Sequence, residues 1–342
     1  MEAGLRVETV PSEWLGLRAV IMATRLASRF GLKHPIVSAP LARAGGGVLA
    51  AAVSDAGGLG LVGGGYADPE WTIAELDEGG AAAVGVGFIT WAIEAQPGLL
   101  DEVLGRKPRA VMLSFGDPRE PGARIRSAGV PLICQVNNRA DTLLALEAGA
   151  DVIVAQGSEA GGHGEHRRST FTLVPELADL LARRSPDTLL CAAGGIADGR
   201  GLAAALMLGA DGVLVGSRLW ATEESLAPAG LQSAAVGADG DATTLSSAVD
   251  IALQLPWPSR YTCRVVRNDF SELWDGRDDE LRATNGAVGE QWKQAYAAGD
   301  PDRASMMVGE AIGLINDIAP AHTVIDRMVR DAAELLRTAG AS

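Results

Sequence analysis

Short apolar segments, separated by glycine or polar residues, recur along the first two thirds of the chain. They are apolar nearly throughout, as in parallel strands that are buried on both faces. The segments between them have the spacing of amphipathic helices, for example at 139–147, 173–183 and 201–208. Eight alternating units predict an α/β fold of the TIM (β/α)8-barrel type. The eight apolar segments are PIVSAP (35–40), GLGLVGG (58–64), AVGVGFI (83–89), RAVMLSF (109–115), PLICQV (131–136), DVIVAQG (151–157), LLCAAGG (189–195) and GVLVGS (212–217).

An internal repeat supports the barrel. LLALEAGADVIVAQG (143–157) aligns with AALMLGADGVLVGS (204–217), so that Gly149, Ala150 and Asp151 match Gly209, Ala210 and Asp211. In each copy the pattern predicts a helix that ends at glycine, followed by a short turn into an apolar strand.

The pattern changes after Leu219 to acidic, tryptophan-bearing stretches, with helices predicted at 244–255, 279–298 and 304–317. We interpret this part as a smaller, mainly helical substrate domain laid over the barrel mouth. The predicted division is an N-terminal extension (1–33), a cofactor-binding barrel (34–225), a helical lid (226–303) and C-terminal helices that return to the barrel (304–342). Residues 1–21 are predicted to be a weakly ordered extension.

Composition narrows the classes of function. A net charge of −14 and a pI near 4.8 disfavour nucleic acid or an anionic membrane surface as a partner. Apolar runs are too short to span a bilayer and the N-terminus lacks a signal pattern, so we expect a cytoplasmic protein. Three widely spaced cysteines and four scattered histidines predict neither a disulfide framework nor a catalytic metal.

Glycines follow the strands whose ends form the predicted barrel mouth. Gly194 and Gly195 follow the seventh strand, and Gly216 and Ser217 follow the eighth. Backbone N–H groups and a hydroxyl at these positions form a typical phosphate cradle in a barrel. The alternative is that these glycines only make short turns, but two glycine-rich ends on this strand pair favour a ligand.

His163 is the candidate catalytic residue. It follows a glycine pair in QGSEAGGHGEHR (156–167), so its imidazole is expected to face an open pocket as a base or hydrogen-bond donor. His166 is ranked lower, as a structural or solvated histidine. The GxGxxG of Gly58, Gly60 and Gly63 lies inside a strand rather than after one, which argues against a dinucleotide fingerprint.

These stretches resemble the nitronate monooxygenase family, formerly called 2-nitropropane dioxygenases. The resemblance rests on residues 35–65, 84–91, 156–167, 192–225 and 308–321, of which the QGxEAGGH element is the most specific. It implies bound FMN and His163 as the active-site histidine. One departure is Leu41, where many relatives have methionine. The resemblance further implies that Ala39, Pro40, Gln135 and Gln156 line the flavin ring and that Gly162, Gly194, Gly195, Gly216 and Ser217 bind its phosphate.

The activity implied is oxidation of small alkyl nitronates, or of nitroalkanes, by O2 to a carbonyl compound and nitrite. An enoyl-acyl-carrier-protein reductase or a quinone reductase, each using NAD(P)H on the same barrel, stays open as an alternative activity. A homodimer stays open as the oligomeric state. A flavin-binding protein without turnover is the least favoured alternative. Tyr66, Trp91 and Trp257 are candidates for the pocket wall, although ordinary packing accounts for them equally well.

Overall fold

A computed structural model describes residues 24–81 and 83–340. The predicted weakly ordered extension, 1–21, lies outside these residues. The strands within them are β1 (Ile36–Ser38), β2 (Leu61–Gly65), β3 (Gly85–Ile89), β4 (Val111–Ser114), β5 (Leu132–Val136), β6 (Val152–Gln156), β7 (Gly162–Gly164), β8 (Leu189–Ala193), β9 (Gly212–Val215), β10 (Thr243–Ser246) and β11 (Thr262–Val266).

The α-helices are numbered in the same way, and short 3₁₀ turns lie at Gly240–Ala242 and Glu310–Leu314. The helices are α1 (Arg25–Phe30), α2 (Gly47–Asp55), α3 (Pro69–Gly79), α4 (Thr90–Glu94), α5 (Pro97–Gly105), α6 (Arg119–Ser127), α7 (Arg139–Ala148), α8 (Thr170–Arg184), α9 (Gly199–Met207), α10 (Ser217–Trp220), α11 (Ala229–Val236), α12 (Ala248–Ala252), α13 (Asp269–Trp274), α14 (Asp278–Ala283), α15 (Ala287–Ala298) and α16 (Ala321–Gly340).

Eight parallel strands form the barrel, in the order β1-β9-β8-β6-β5-β4-β3-β2. The ring closes where Val37 pairs with Leu59, just before β2. There the Ser38 N–H donates to the Leu59 carbonyl at 2.9 Å, and the Leu59 N–H donates to the Ile36 carbonyl at 2.9 Å. The predicted TIM barrel is confirmed, and each of the eight apolar segments supplies one strand.

Burial on both faces explains why these strands are apolar throughout. Along β6, Val152 and Val154 point into the barrel interior, whereas Ile153 and Ala155 pack against the surrounding helices. All four side chains are fully buried. A parallel strand in this position has no solvent face, so it shows no alternation of polar and apolar residues.

The internal repeat has a structural cause. Gly149 and Gly209 end their helices with φ of 77° and 96°, a left-handed conformation that favours glycine. The aspartate two residues later accepts a hydrogen bond from a backbone N–H at the start of a neighbouring strand, in the first or second residue. Asp151 accepts from Leu132 at 2.9 Å, and Asp211 accepts from Leu190 at 2.9 Å. In each copy, the glycine therefore ends the helix and the aspartate binds the neighbouring strand.

A second hydrophobic core lies over the barrel mouth. It includes Trp220, Leu231, Phe270 and Trp292, together with residues up to Ile315. A three-stranded sheet, β10-β11-β7, connects this region to the loop that follows β6. The proposed domain boundaries stay a prediction.

The predictions of three helices in this region were wrong in the type or the bounds of the elements. Within 244–255, Thr243–Ser246 pairs with β11 as a strand, and the helix is limited to Ala248–Ala252. The 279–298 segment is two helices, because Asn285 and Gly286 take positive φ between them. In 304–317 only a 3₁₀ turn forms, since Gly309 lies against the backbone of the loop at Glu159 and Gly161.

Two terminal helices complete the barrel. Helix α1, which the sequence assigned to the extension, brings Leu26 and Phe30 against the interior residues at one end of the barrel. Helix α16 returns to the barrel wall, where it packs on α9 and α2 and buries Val324, Ile325 and Met328.

Candidate active site

One cavity collects all ten residues singled out from the sequence. It opens where the carboxyl ends of the barrel strands meet the second core, the position at which barrels carry their sites. The roles of these residues stay predictions, but their juxtaposition is a property of the fold. The ten lining residues are Ala39, Pro40, Gln135, Gln156, Gly162, His163, Gly194, Gly195, Gly216 and Ser217.

The glycines that line the cavity leave room for a ligand. A Cβ placed on Gly162 would meet no atom within 4 Å, and one on Gly195 would come within 3.6 Å of Glu159 only. Both residues have positive φ, 70° and 74°, which turns their backbones in a way that other residues rarely adopt. Space without side chains beside backbone N–H groups fits a phosphate group.

Two polar side chains beside these glycines, Ser217 and Glu159, are hydrogen-bonded to backbone N–H groups. Ser217 Oγ accepts a hydrogen bond from the Gly309 N–H at 2.8 Å, which leaves its own hydroxyl hydrogen for a ligand. The Glu159 carboxylate accepts from the backbone N–H of Thr170 at 3.0 Å and from its hydroxyl at 3.0 Å. The acid therefore caps the start of α8.

Gln156 organises the strand ends around the candidate histidine. Its Oε1 accepts from Gln135 Nε2 at 3.0 Å and from Asn137 Nδ2 at 2.9 Å. Its own Nε2 donates to the backbone carbonyl of His163 at 3.0 Å. Gln156 is buried, so this network fixes the position of His163 relative to β5 and β6.

His163 is held from the opposite side by the second core. Strand β7 pairs with β11, and this pairing sets His163 opposite Cys263. The imidazole Nε2 lies 3.0 and 2.9 Å from the two carboxylate oxygens of Asp250, on α12. The side chains of His163 and Asp250 are only 8% and 5% exposed. With Asp250 as acceptor, the proton resides on Nε2, and Nδ1 is the nitrogen able to exchange a proton with a substrate.

Trp257 covers one face of the His163 ring. The two rings are stacked, with centroids 3.5 Å apart and an interplanar angle of 7°. The indole N–H of Trp257 donates to the Tyr66 hydroxyl at 3.2 Å. Burial raises the pKa of Tyr66, so its phenol stays neutral over the physiological range. Because Trp257 covers one face, the imidazole can contact a substrate only with its edge or its other face.

The structure also shows where His166 and the aromatic candidates lie, and it adds one residue that the sequence did not predict. His166 is tied through its ring to the carbonyls of Ser158 and Thr262 and links the glycine-rich loop to β11, in keeping with its lower rank. Tyr66 and Trp257 line the cavity, as the first of their two interpretations proposed, whereas Trp91 packs against the barrel core and is not among the described lining residues. Asp250 was missed, because it lies 87 residues after His163 in a helix with no recognisable motif.

For the reaction that the family resemblance implies, replacement of Asp250 by Asn is expected to slow turnover of a neutral nitroalkane by about 100-fold, the scale of a general acid–base contribution. The amide has no charge to stabilise a protonated imidazole and can present its NH2 to Nε2 instead. The measurement is anaerobic flavin reduction with a nitroalkane and with its preformed nitronate. The nitronate needs no proton removal, so its rate should fall less.

Asp241→Asn is the matched control, since it removes the same charge from an exposed 3₁₀ turn. Equal slowing of both substrates in the Asp250 variant would mean that Asp250 has only a structural role.

The described residues contain neither a membrane-spanning helix nor a cluster of metal ligands. Within 24–81 and 83–340, no helix is long and apolar enough to cross a membrane. Over the same ranges, His, Cys, Asp and Glu side chains form no group of three or more that could hold a metal ion.

The fold and the cavity together define a (β/α)8-barrel protein with its site at the carboxyl ends of the strands. A family model described as nitronate monooxygenase matches residues 82–331. A nitronate monooxygenase of Metarhizium robertsii is 36% identical over 341 residues, covering 90% of this chain and 93% of that protein. The chain belongs to the nitronate monooxygenase family and is an oxidoreductase.

Solved structures agree with this assignment. FabK from Thermotoga maritima superimposes with a TM-score of 0.79 at 30% identity, over 93% of this chain and 98% of that one. Nitroalkane oxidase from Streptomyces ansochromogenes superimposes with a TM-score of 0.76 at 26% identity, over 92% and 99% of the two chains.

Proposed function

We propose that the protein oxidises alkyl nitronates with O2 to a carbonyl compound and nitrite, using bound FMN. The observation that carries the proposal is the His163–Asp250 pair: His163 lines the same cavity as the side-chain-free glycine backbone, and Asp250 holds its imidazole at 2.9 Å. Such a site can hold an anionic nitro group close to an imidazole. When bound, the flavin would supply the redox chemistry by accepting electrons from the substrate and passing them to dioxygen.

The phosphate of FMN would lie against Gly194, Gly195, Gly216 and Ser217, and its ring would lie near Ala39 and Pro40. Backbone N–H groups and the Ser217 hydroxyl offer donors there, and the space beside Gly195 and Gly216 is open. Nothing at this wall requires a side chain to move before a phosphate enters. The residues present therefore fit the group.

His163 has two roles in the proposed reaction. As a cation it donates a hydrogen bond to a nitronate oxygen, and as a neutral base it removes the α-proton from a nitroalkane. Asp250 orients the ring and stabilises its charged form, whereas Trp257 restricts the ring to one plane. The chain is strongly acidic, so these local donors rather than net charge must hold the anionic substrate.

The structural similarity to FabK favours one second candidate, reduction of an enoyl thioester with NAD(P)H. An anaerobic assay on the purified yellow protein distinguishes the two. We expect propionate 3-nitronate to bleach the flavin absorbance and NADPH alone to leave it unchanged. Bleaching by NADPH would support the reductase, and a colourless protein that takes up no added FMN would contradict both.

A further inference from the structure

Aromatic side chains follow three neighbouring strands of the barrel. Tyr66 comes directly after β2, Trp91 lies in the first turn of α4, just after β3, and Phe115 comes directly after β4. Because β2, β3 and β4 are adjacent and parallel, these residues lie along one side of the barrel mouth. The glycines of the candidate site follow β8 and β9, which lie across the ring from β3 and β4. The mouth therefore has an aromatic side and a glycine side.

Trp257 contacts all three of these rings. The centroid of its ring lies 6.3 Å from that of Tyr66, 5.5 Å from that of Trp91 and 5.1 Å from that of Phe115. The interplanar angles are 87°, 85° and 74°, and edge-to-face geometry of this kind is favourable for aromatic pairs. Tyr261, on the same segment as Trp257, adds a fourth such contact at 6.0 Å and 82°. We call Tyr66, Trp91, Phe115, Trp257 and Tyr261 the aromatic cluster.

Phe115 joins this cluster through a strained backbone. Its φ is 66°, in the left-handed region that bulky side chains rarely adopt. The same ring lies 5.2 Å from that of Tyr261 at an angle of 75°, and 6.3 Å from that of His163 at 70°. Gly116 follows, and a Cβ there would come within 2.7 Å of the Thr90 side chain, so the turn after β4 is tightly packed. A strained conformation persists only where the surrounding structure holds it, and such residues concentrate at functional sites.

The orientation of the His163 ring depends on two neighbours. Asp250 holds Nε2 with its carboxylate oxygens 3.0 and 2.9 Å away, but a contact at one ring nitrogen leaves the ring free to turn about that direction. The indole of Trp257, 3.5 Å away and nearly parallel, prevents this turn. The direction of Nδ1 is therefore set by Trp257 together with Asp250. Because proton transfer depends on orientation as well as distance, whatever holds Trp257 also affects the base.

We propose that Phe115 is a positioning residue. Its ring supports Trp257 in the orientation that keeps the indole flat on His163, and in this way it fixes the direction in which Nδ1 faces the cavity. Phe115 has no titratable group, so it acts through Trp257 and not on the proton itself. The use of Nδ1 as a base rests on the proposed function, whereas the orientation of the ring does not.

The kinetic test is replacement of Phe115 by Leu, which keeps an apolar side chain but removes the ring. We expect the limiting rate of anaerobic flavin reduction by a neutral nitroalkane to fall by about 10- to 100-fold, as misplacement of a reacting group does. Reduction by the preformed nitronate should change by less than about 3-fold, because it needs no proton removal. Phe115→Tyr keeps the ring and should retain most of the wild-type rate. Phe171→Leu is the matched control, since it removes the same ring from an exposed position on α8.

Proton NMR of the flavin-loaded protein, with labelled histidine, tests the stacking without turnover. The indole shields the ring protons of His163, so their resonances should lie upfield of those of the other histidines, and the His163→Asn variant identifies them. We expect Phe115→Leu to reduce this upfield shift, and Phe115→Tyr and Phe171→Leu to preserve it. Tyr66→Phe removes only the acceptor of the Trp257 N–H and should reduce the shift less, which gives a second variant if Phe115→Leu does not fold.

An upfield shift that is unchanged in Phe115→Leu would overturn the proposal. Equal slowing of the nitroalkane and the nitronate would also overturn it, because a merely structural role affects both substrates alike. If neither substrate reduces the flavin, the proposed function fails, but the histidine resonances still decide whether Phe115 positions the ring.

Discussion

Replacement of His163 by Asn is expected to slow flavin reduction by a neutral nitroalkane by about 100- to 10,000-fold, because the imidazole proposed to accept the α-proton is removed. Asn keeps a polar group of similar size, so Gln156 can still donate to the backbone carbonyl at this position. The β7–β11 pairing also depends on backbone atoms and should persist. The measurement is stopped-flow reduction under anaerobic conditions, at saturating substrate and with the flavin content determined first.

Comparison of two substrates makes this result specific. A preformed nitronate needs no proton abstraction, so its reduction rate should fall less than that of the nitroalkane. His322→Asn is the control, since His322 lies at the exposed start of α16, away from the cavity. If the flavin-loaded His163 variant reduces at the wild-type rate with both substrates, His163 has no part in the chemistry.

Replacement of Gly216 by Leu is expected to weaken FMN binding by at least about 10- to 100-fold, so that the purified protein is colourless. A Cβ at Gly216 would meet only Ala39 and Leu41, at 3.6 and 3.9 Å, which are ordinary contacts. The fold therefore tolerates the Cβ, whereas the rest of the leucine side chain would occupy the space assigned to the phosphate. Overpacking of this kind costs about 1–3 kcal/mol.

Two measurements separate loss of cofactor from loss of fold. Far-UV circular dichroism and the thermal midpoint of the flavin-free protein should match those of wild-type protein stripped of flavin. Gly98→Leu introduces the same side chain at an exposed glycine with nothing within 4 Å, and this variant should stay yellow. Normal FMN affinity in the Gly216 variant would contradict the proposed position of the phosphate beside the end of β9.

Much of the barrel could be predicted from local sequence, because its strands have no solvent face. DVIVAQG becomes β6 with all five strand residues buried, and the same continuous burial holds for β8 and β9. The second core was harder to predict. Its strand Thr243–Ser246 is an edge strand of mixed exposure, and its pairing partner lies about 20 residues later. Helical and strand patterns overlap in such short segments.

The sequence alone indicated which glycines and which histidine lie at the barrel mouth, because they follow apolar strands, and parallel strands in a barrel end on one face. Only the tertiary structure brought Asp250 to within 2.9 Å of His163, stacked Trp257 on its ring, and set Phe115 against Trp257. Asp250 and Trp257 come from the part of the chain after the barrel strands, Asp250 on α12 and Trp257 in the segment that follows it. Long-range packing of this kind has no fixed spacing along the chain, so no local pattern could predict these partners.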